Sequence, residues 1–241
     1  MKPPLIPQSR YTGPDSQREG GGRPRIAPLR GRRTLAMLTA LLIGVLVWFF
    51  WPSKPDLAGF DPTELGRLEG DMWRDYYQQD WMALSGHAWQ VARRQYKFSR
   101  WDSLRLAWHS VQAARAFRQD TLNELAVADM TDYYRIVSQA APPTFAADQA
   151  ARLDVQWWRQ RRADAPPDDW GRTIAQLTAA IYGCSAEEVL PAAQARVAAM
   201  VYRDARRTTG LREDEWREVS RQLVNAYALL KRTRVASVQP E

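Results

Sequence analysis

The chain has 241 residues, a formal net charge of +7 and one cysteine, so no disulfide bond can form within it. The charge is uneven, because the first 33 residues carry eight basic and two acidic residues and the remainder carries 26 basic and 25 acidic ones. A basic stretch this short, with a single aromatic residue in it, argues against nucleic-acid binding. No spacing typical of a metal or haem site occurs, so we expect no cofactor.

Residues 1–33 are rich in arginine, proline and glycine and poor in apolar side chains. Such a segment cannot bury enough apolar surface to offset the entropy that it would lose on ordering. The composition therefore predicts a disordered, basic cytoplasmic tail. Arg30, Arg32 and Arg33 directly precede an apolar segment, and we expect them to lie at the membrane interface, against anionic lipid headgroups.

Residues 34–52 contain eighteen consecutive uncharged positions, from Thr34 to Trp51. This pattern predicts a single transmembrane helix, with Trp48 and Trp51 at the membrane–water interface. Basic residues beside a first membrane segment tend to stay in the cytoplasm, so the rest of the chain is predicted to be extracytoplasmic, in the periplasm of a Gram-negative cell. A cleaved signal peptide is the main alternative, although its apolar region is usually shorter and ends in a small-residue cleavage site. A buried core helix is the other alternative.

Beyond the apolar segment the chain is predicted to form one exported helical domain. Residues 53–60 are interpreted as a linker, residues 61–236 as the domain and residues 237–241 as a C-terminal tail. Strand patterns are sparse and helical spacing recurs, so the fold class is all-α, with about seven to eight helices. Short polar breaks favour a compact bundle, and an α-solenoid is the alternative, although no sequence repeat aligns.

The first helix of the domain has a clear start signal. Asp61 is typical of an N-cap, and Pro62 of the first helical position. The helical pattern continues toward Arg100, and a break near Gln79 and Asp80 would divide it into two helices.

The next helix is predicted to begin at Asp102 or Ser103. Its apolar side would then carry Leu104, Trp108 and Val111, at spacings of three and four residues.

Two proline pairs divide the second half of the domain. A helix predicted from about residue 121 to residue 139 ends before Pro142 and Pro143, and Thr144 is predicted to cap the helix that follows. Another break occurs at Pro166 and Pro167.

The last helices have the strongest local signals. Gly183 is typical of a helix C-terminus, and Ser185 with Glu188 has the spacing of a capping box. The final helix is strongly amphipathic. Its apolar stripe consists of Trp216, Val219, Leu223, Ala226, Tyr227 and Leu230.

One group of side chains in the first helix is a candidate ligand-binding site. Glu69, Trp73, Tyr76 and Tyr77 follow one another at intervals that place all four on one helix face. A carboxylate among aromatic rings in an apolar cavity is typical of a ligand pocket. The alternative is an ordinary core in which the rings fill space and Glu69 is hydrogen-bonded by a tyrosine or paired with an arginine.

Catalytic signatures are absent from the sequence. Cys184 could act as a nucleophile if His87 or His109 lay beside it, but a small apolar side chain before a helix cap is the simpler interpretation. We therefore expect no catalytic and no metal-binding residues.

The sequence thus predicts a single-pass membrane protein whose exported domain is a non-enzymatic interaction or scaffold protein of the cell envelope. Its expected partners are membrane lipids and another envelope protein. A helical module that binds a lipid or a small apolar ligand is the first alternative, and a cysteine-dependent enzyme is the second.

Overall fold

The computed structural model describes residues 29–119 and 123–236, with side chains described between residues 34 and 233 of those ranges. The described residues form nine α-helices and no strand, which confirms the all-α fold class. The sequence predictions for residues 1–28, for residues 121 and 122 and for the C-terminal tail concern residues outside this description.

Helix α1 (Leu29–Phe50) crosses the boundary between two compact units, residues 1–44 and 45–241. Its side chains from Thr34 to Trp48 are all exposed. Among the described residues, no helix combines the length and the apolar character that are needed to cross a membrane. The predicted transmembrane helix extended to residue 52, whereas α1 ends at Phe50, because Pro52 disfavours a helical conformation in the residue before it.

Eight further helices lie in the second unit, in agreement with the expected number. Their bounds are α2 (Pro62–Gln78), α3 (Trp81–Gln90), α4 (Arg100–Arg118), α5 (Asn123–Ala140), α6 (Ala147–Arg162), α7 (Pro167–Tyr182), α8 (Ala186–Asp204) and α9 (Glu213–Ala236). A π-helical segment, Val91–Gln95, continues α3.

Local capping signals in the sequence are confirmed at several helix ends. The Asp61 carboxylate accepts hydrogen bonds from the backbone N–H groups of Thr63 and Glu64 at the start of α2. Ser185 and Glu188 form the reciprocal capping box of α8. Gly183 ends α7 with a φ of 63°, a left-handed conformation that glycine adopts without a steric penalty.

Two predicted helix starts are wrong. Helix α4 begins at Arg100, two or three residues earlier than expected, because the Ser99 hydroxyl accepts the N–H of Asp102 and caps the helix. Helix α6 begins at Ala147 without a side-chain cap. The hydroxyl of Ser138 instead bonds the backbone of Phe145, which holds this turn against the end of α5.

The apolar face predicted for α4 is confirmed at Val111, which is buried, and is wrong at Leu104 and Trp108, which are 48% and 61% exposed. The buried face carries Leu106, Ala113 and Phe117 beside Val111.

Helices α2–α9 form a closed ring. Each helix packs against the next one in the chain, and α9 packs against α2. Helices α2 and α9 run antiparallel, as the pairing of Gly66 with Val224 and of Gly70 with Ser220 shows. The domain is therefore a compact bundle with a central space, and not an open solenoid.

Two glycines allow the close approach of α2 and α9 that completes the ring. A Cβ atom on Gly66 would lie 2.5 Å from the backbone nitrogen of Val224, and one on Gly70 would lie 2.2 Å from Ser220 Oγ. Real Cβ contacts are essentially never shorter than 3.0 Å, so any larger side chain at these positions would push the helices apart.

Candidate functional site

A cavity of about 620 Å³ lies inside the ring of helices. Cavities that bind small ligands commonly have volumes of about 300–1,000 Å³. All eight helices of the ring contribute to the lining, and most of the contributing side chains are apolar or aromatic. Its buried aliphatic and aromatic members include Leu65, Phe98, Val137, Ile174, Leu177 and Leu230.

The four candidate residues of α2 all lie on the cavity wall. Glu69 is buried, and Trp73, Tyr76 and Tyr77 are half-buried. The Tyr76 and Tyr77 rings meet edge to face with their centres 5.2 Å apart. Burial raises the pKa of the Tyr76 hydroxyl, an effect that the nearby Tyr77 strengthens.

Glu69 binds two partners that come from across the ring. Arg196 on α8 donates from Nε to Glu69 Oε1 over 2.9 Å, and its Nη2 donates to the same oxygen. The Tyr227 hydroxyl on α9 donates to Glu69 Oε2 over 2.5 Å. Burial alone would lower the pKa of Arg196, but the Glu69 carboxylate and the nearby Tyr227 and Asp154 outweigh it and hold the pKa above its usual value.

A second carboxylate, Asp154, faces the cavity from α6. It accepts hydrogen bonds from the Tyr134 hydroxyl at 2.8 Å and from Trp157 Nε1 at 2.7 Å. Burial raises the pKa of Asp154 even though these donors and Arg196 favour its charged form. The interior of the cavity therefore holds two carboxyl groups near one guanidinium.

Several polar side chains are surrounded by protein and still keep accessible surface, because they face the cavity. Arg196 keeps 26% of its side-chain surface accessible. Tyr96, Tyr133 and Tyr227 are half-buried for the same reason. Burial raises the pKa of all three hydroxyls, that of Tyr133 to about 12, so each stays protonated at neutral pH.

The cavity opens at the ends of α6 and α8. Among the described residues that line it, only Arg162 and Arg207 are exposed. Arg162 is the last residue of α6, and Arg207 lies in the turn that follows α8. The exposed rim is therefore positively charged.

Two more arginines lie just inside this opening and share one carboxylate. Arg161 Nε donates to Asp204 over 2.7 Å, and Arg203 Nη1 donates to it over 2.9 Å. Burial acts to raise the pKa of Asp204, but the two guanidinium groups lower it overall. The Tyr77 hydroxyl accepts a hydrogen bond from Arg161 Nη2 at 2.7 Å, which connects this cluster to the face of α2 that carries Glu69.

The residues predicted to lie at the membrane interface are described in part. Trp48 and Trp51 are 57% and 63% exposed. The guanidinium of Arg100 lies 3.7 Å from the ring centre of Trp48, within cation–π range. The side chains of three further residues lie outside the description: Arg30, Arg32 and Arg33.

Each of the two histidines lies against a carboxylate. His87 Nδ1 lies 2.7 Å from Asp75, and His109 Nδ1 lies 3.2 Å from Asp129, so each imidazole is oriented by a carboxylate. Cys184 lies between α7 and α8 and packs against the hydrophobic core. In the described part of the chain, no group of three or more histidine, cysteine or carboxylate side chains could hold a metal ion.

Three important side chains of the cavity were not identified from the sequence. Arg196 and Tyr227, the partners of Glu69, are 127 and 158 residues away from it along the chain. Asp154 has a weak local signal, because it lies one helical turn before Trp157 in an otherwise apolar stripe.

Comparisons with known proteins give no further guide to function, because no family model, no curated protein and no solved structure matches the chain.

Proposed function

We propose that the helical domain binds a small, largely apolar molecule inside its ring of helices. The observation that carries this proposal is the cavity of about 620 Å³, to which all eight helices contribute lining residues. Several of its polar groups are held in place by their partners, as Glu69 is by Arg196 and Tyr227. Binding sites for small molecules commonly combine apolar walls with a few fixed polar groups.

The size of the cavity supports a ligand rather than a packing defect. Its volume falls within the range of about 300–1,000 Å³ that small-molecule sites commonly have. Apolar side chains such as Leu65, Ile174 and Leu177 hold water poorly, so this part of the wall favours an apolar occupant.

Native mass spectrometry of the full chain, purified from its own host and gently desalted, tests the proposal. Ala114 lines the cavity and Ala128 is exposed on α5. We expect the wild-type protein and Ala128→Trp to carry extra mass, and Ala114→Trp to lose it because the indole fills the space. Circular dichroism would check that both variants are folded. A wild-type protein without extra mass, or Ala114→Trp that retains it, would contradict the proposal.

We further propose that α1 anchors the chain in the inner membrane, with the N-terminus cytoplasmic and the domain extracytoplasmic. The support is the uncharged stretch from Thr34 to Trp51 and the exposure of its apolar side chains. The uncharged helical part, Thr34 to Phe50, extends only about 25 Å at 1.5 Å per residue. Local thinning of a hydrocarbon core about 30 Å thick, and arginines that extend toward the headgroups, would accommodate this difference.

Alkaline carbonate extraction of host membranes tests the anchor. The wild-type chain should stay with the lipid, and a variant with Leu42→Arg and Val45→Arg should be released. Release of the wild-type chain would refute the anchor. Proteolysis of intact spheroplasts, which should degrade the domain, tests the orientation.

An envelope interaction or scaffold protein is the second candidate function. The observation that favours it is an exposed apolar stripe on α4, formed by Trp101, Leu104 and Trp108. Side chains at these spacings face one side of the helix, and contiguous exposed apolar surface often marks a protein interface.

A photo-crosslinking amino acid at position 108, introduced in intact cells, tests this candidate. Cross-linking to one defined protein, absent when the same group replaces the exposed Met82 on α3, would support it. Equal labelling from the two positions would count against it.

A further inference from the structure

The geometry points to a specific class of ligand for the cavity: a single-chain amphiphile with one acidic group. Its apolar chain lies inside the ring of helices, and its acidic group lies at the opening, between Arg162 and Arg207. This inference rests on the proposed function, because it requires that the cavity bind a ligand at all.

The first argument is the position of the opening. Arg162 and Arg207 are the only exposed members of the cavity lining among the described residues, so a ligand that enters must pass between them. An amphiphile that leaves one end in water would therefore place that end beside two guanidinium groups. Guanidinium groups bind carboxylates and phosphates in two-pronged hydrogen bonds.

The second argument is the balance of charge on the lining at this end. Four arginines and one carboxylate, Asp204, are among the residues that line the outer part of the cavity, and one of these arginines, Arg162, also donates to the Phe117 carbonyl. Asp204 already accepts hydrogen bonds from both Arg161 and Arg203. Arg207 contacts Asp164 at 3.7 Å, beyond hydrogen-bond distance, and both side chains are largely exposed, so this contact exchanges readily with a ligand.

The third argument is that the interior does not attract an acidic group. Glu69 and Asp154 both face the inner cavity, and Arg196 already donates two hydrogen bonds to Glu69. A second negative charge there would be repelled and poorly solvated. The charges of the wall thus orient the ligand, with its chain inward and its acidic group outward.

The fourth argument is the chemistry between the two ends. Leu65, Phe98, Val137, Ile174 and Leu177 offer the chain no hydrogen-bonding group. A hydrocarbon chain gives up no hydrogen bond on entering such a space, and the burial of each CH₂ group favours binding.

Photo-labelling tests both the class and the orientation. The probe is dodecanoate with a diazirine at its methyl end, added to the full chain in phosphatidylcholine nanodiscs. Mass spectrometry should find the label on inner lining residues such as Leu177 and not on the rim. Because the labelled positions are read directly, probe that is dissolved in the lipid is not counted as bound to the cavity.

Competition distinguishes the headgroup from the chain. Unlabelled dodecanoate and dodecyl phosphate should both prevent labelling at concentrations about tenfold lower than dodecanol, which has the same chain without a charge. The ratio of the concentrations at which the two acids prevent labelling then separates a carboxylate ligand from a phosphate ligand. Equal competition by dodecanol would overturn the assignment of an acidic group and leave the proposed function intact.

Two matched arginine variants locate the acidic group. Arg207→Gln should weaken dodecanoate binding about tenfold, the loss expected for one charge-assisted hydrogen bond, and leave dodecanol unchanged. Arg172→Gln, at an exposed arginine on α7 that is not part of the lining, should have no effect. Equal binding by the two variants would overturn the role of the rim. Absence of label from every lining residue, with all probes, would overturn the proposed function itself.

Discussion

Helix α2 has two faces that meet their surroundings in opposite ways. On the seam face, Gly66 and Gly70 lie so close to α9 that no methyl group fits between the helices. On the cavity face, Glu69, Trp73 and Tyr77 border open space of about 620 Å³. Glu69 and Gly70 are adjacent residues, so the packing density changes from one position to the next.

The difference shows how one ring of helices can be both closed and hollow. Glycines shorten the distance between α2 and α9, which completes the ring without filling its centre. The ion pair of Glu69 and Arg196 connects α2 to α8 across the wall and resists collapse, because a charged pair cannot be pressed into an apolar core without losing its geometry. Small residues therefore close the ring, and large polar residues keep its cavity open.

Removal of Arg196, the partner of Glu69 on the cavity face, should have the largest effect on the free energy of unfolding. Arg196→Met leaves the Glu69 carboxylate buried with Tyr227 as its remaining described partner, and loss of one member of a buried ion pair commonly costs about 3–5 kcal/mol. We expect the free energy of unfolding of the domain, measured with urea by tryptophan fluorescence, to fall by about 3 kcal/mol.

Two further variants serve as controls for this experiment. Arg135→Met removes an arginine from an exposed ion pair with Asp132 and should change stability by less than about 0.5 kcal/mol. The double variant Arg196→Met with Glu69→Leu should recover most of the loss, because the Glu69 carboxylate is no longer left without its arginine. A double variant as unstable as the single one would show that the arginine acts through packing and not through its charge.

A substitution on the seam face should have the next largest effect. Gly66→Ala places a methyl group 2.5 Å from the backbone nitrogen of Val224, which cannot rotate away, so α2 and α9 must separate. Overpacking of this kind costs about 1–3 kcal/mol. We expect the same urea measurement to show a loss in that range.

Gly86→Ala is the matched control for the seam. Gly86 lies inside α3 and a Cβ there would meet no atom within 4 Å. Replacing an exposed helical glycine by alanine stabilises a helix by about 1 kcal/mol. The two identical substitutions should therefore have opposite signs, and a stabilising Gly66→Ala would refute the close seam.

The parts of the fold that depend on neighbours in sequence could be predicted. Asp61, Gly183 and the pair Ser185 and Glu188 mark helix ends by contacts within about four residues, so their signals are complete in the local sequence. The same local signal exists at Ser99, whose hydroxyl accepts the N–H of Asp102, but the helix was predicted to begin at Asp102 or Ser103.

The closure of the ring and the wall of the cavity could not be predicted in this way. The close approach of Gly66 to Val224 joins residues that are far apart in the chain, and nothing in either helix specifies the other. The face of α2 with Glu69 was visible as a pattern, but whether it bordered a cavity or a filled core depended on Arg196 and on the size of the whole ring. Trp108 shows the opposite error. Its helical spacing placed it on the predicted apolar side of α4, but its side chain is exposed.

Removal of the charge of Asp154, the second carboxylate of the cavity, should have the smallest effect on the free energy of unfolding. The size of this effect should depend on pH. Burial raises the pKa of Asp154 above the value of about 3.9 for an unfolded aspartate. The stability that its neutral form contributes is fully present below about pH 4 and is lost as the pH rises through the higher folded-state pKa. Asp154→Asn keeps a neutral side chain that can accept from Trp157 and donate to Tyr134.

The free energy of unfolding of Asp154→Asn, relative to that of the wild-type domain, should therefore increase as the pH rises from 4 toward neutrality. Urea titrations of both proteins at a series of pH values measure this difference directly. Parallel curves would mean that the pKa of Asp154 is the same in the folded and unfolded protein, in which case Tyr134, Trp157 and Arg196 offset the effect of burial. Curves that diverge would show that the cavity favours an uncharged carboxyl group, as its apolar lining requires.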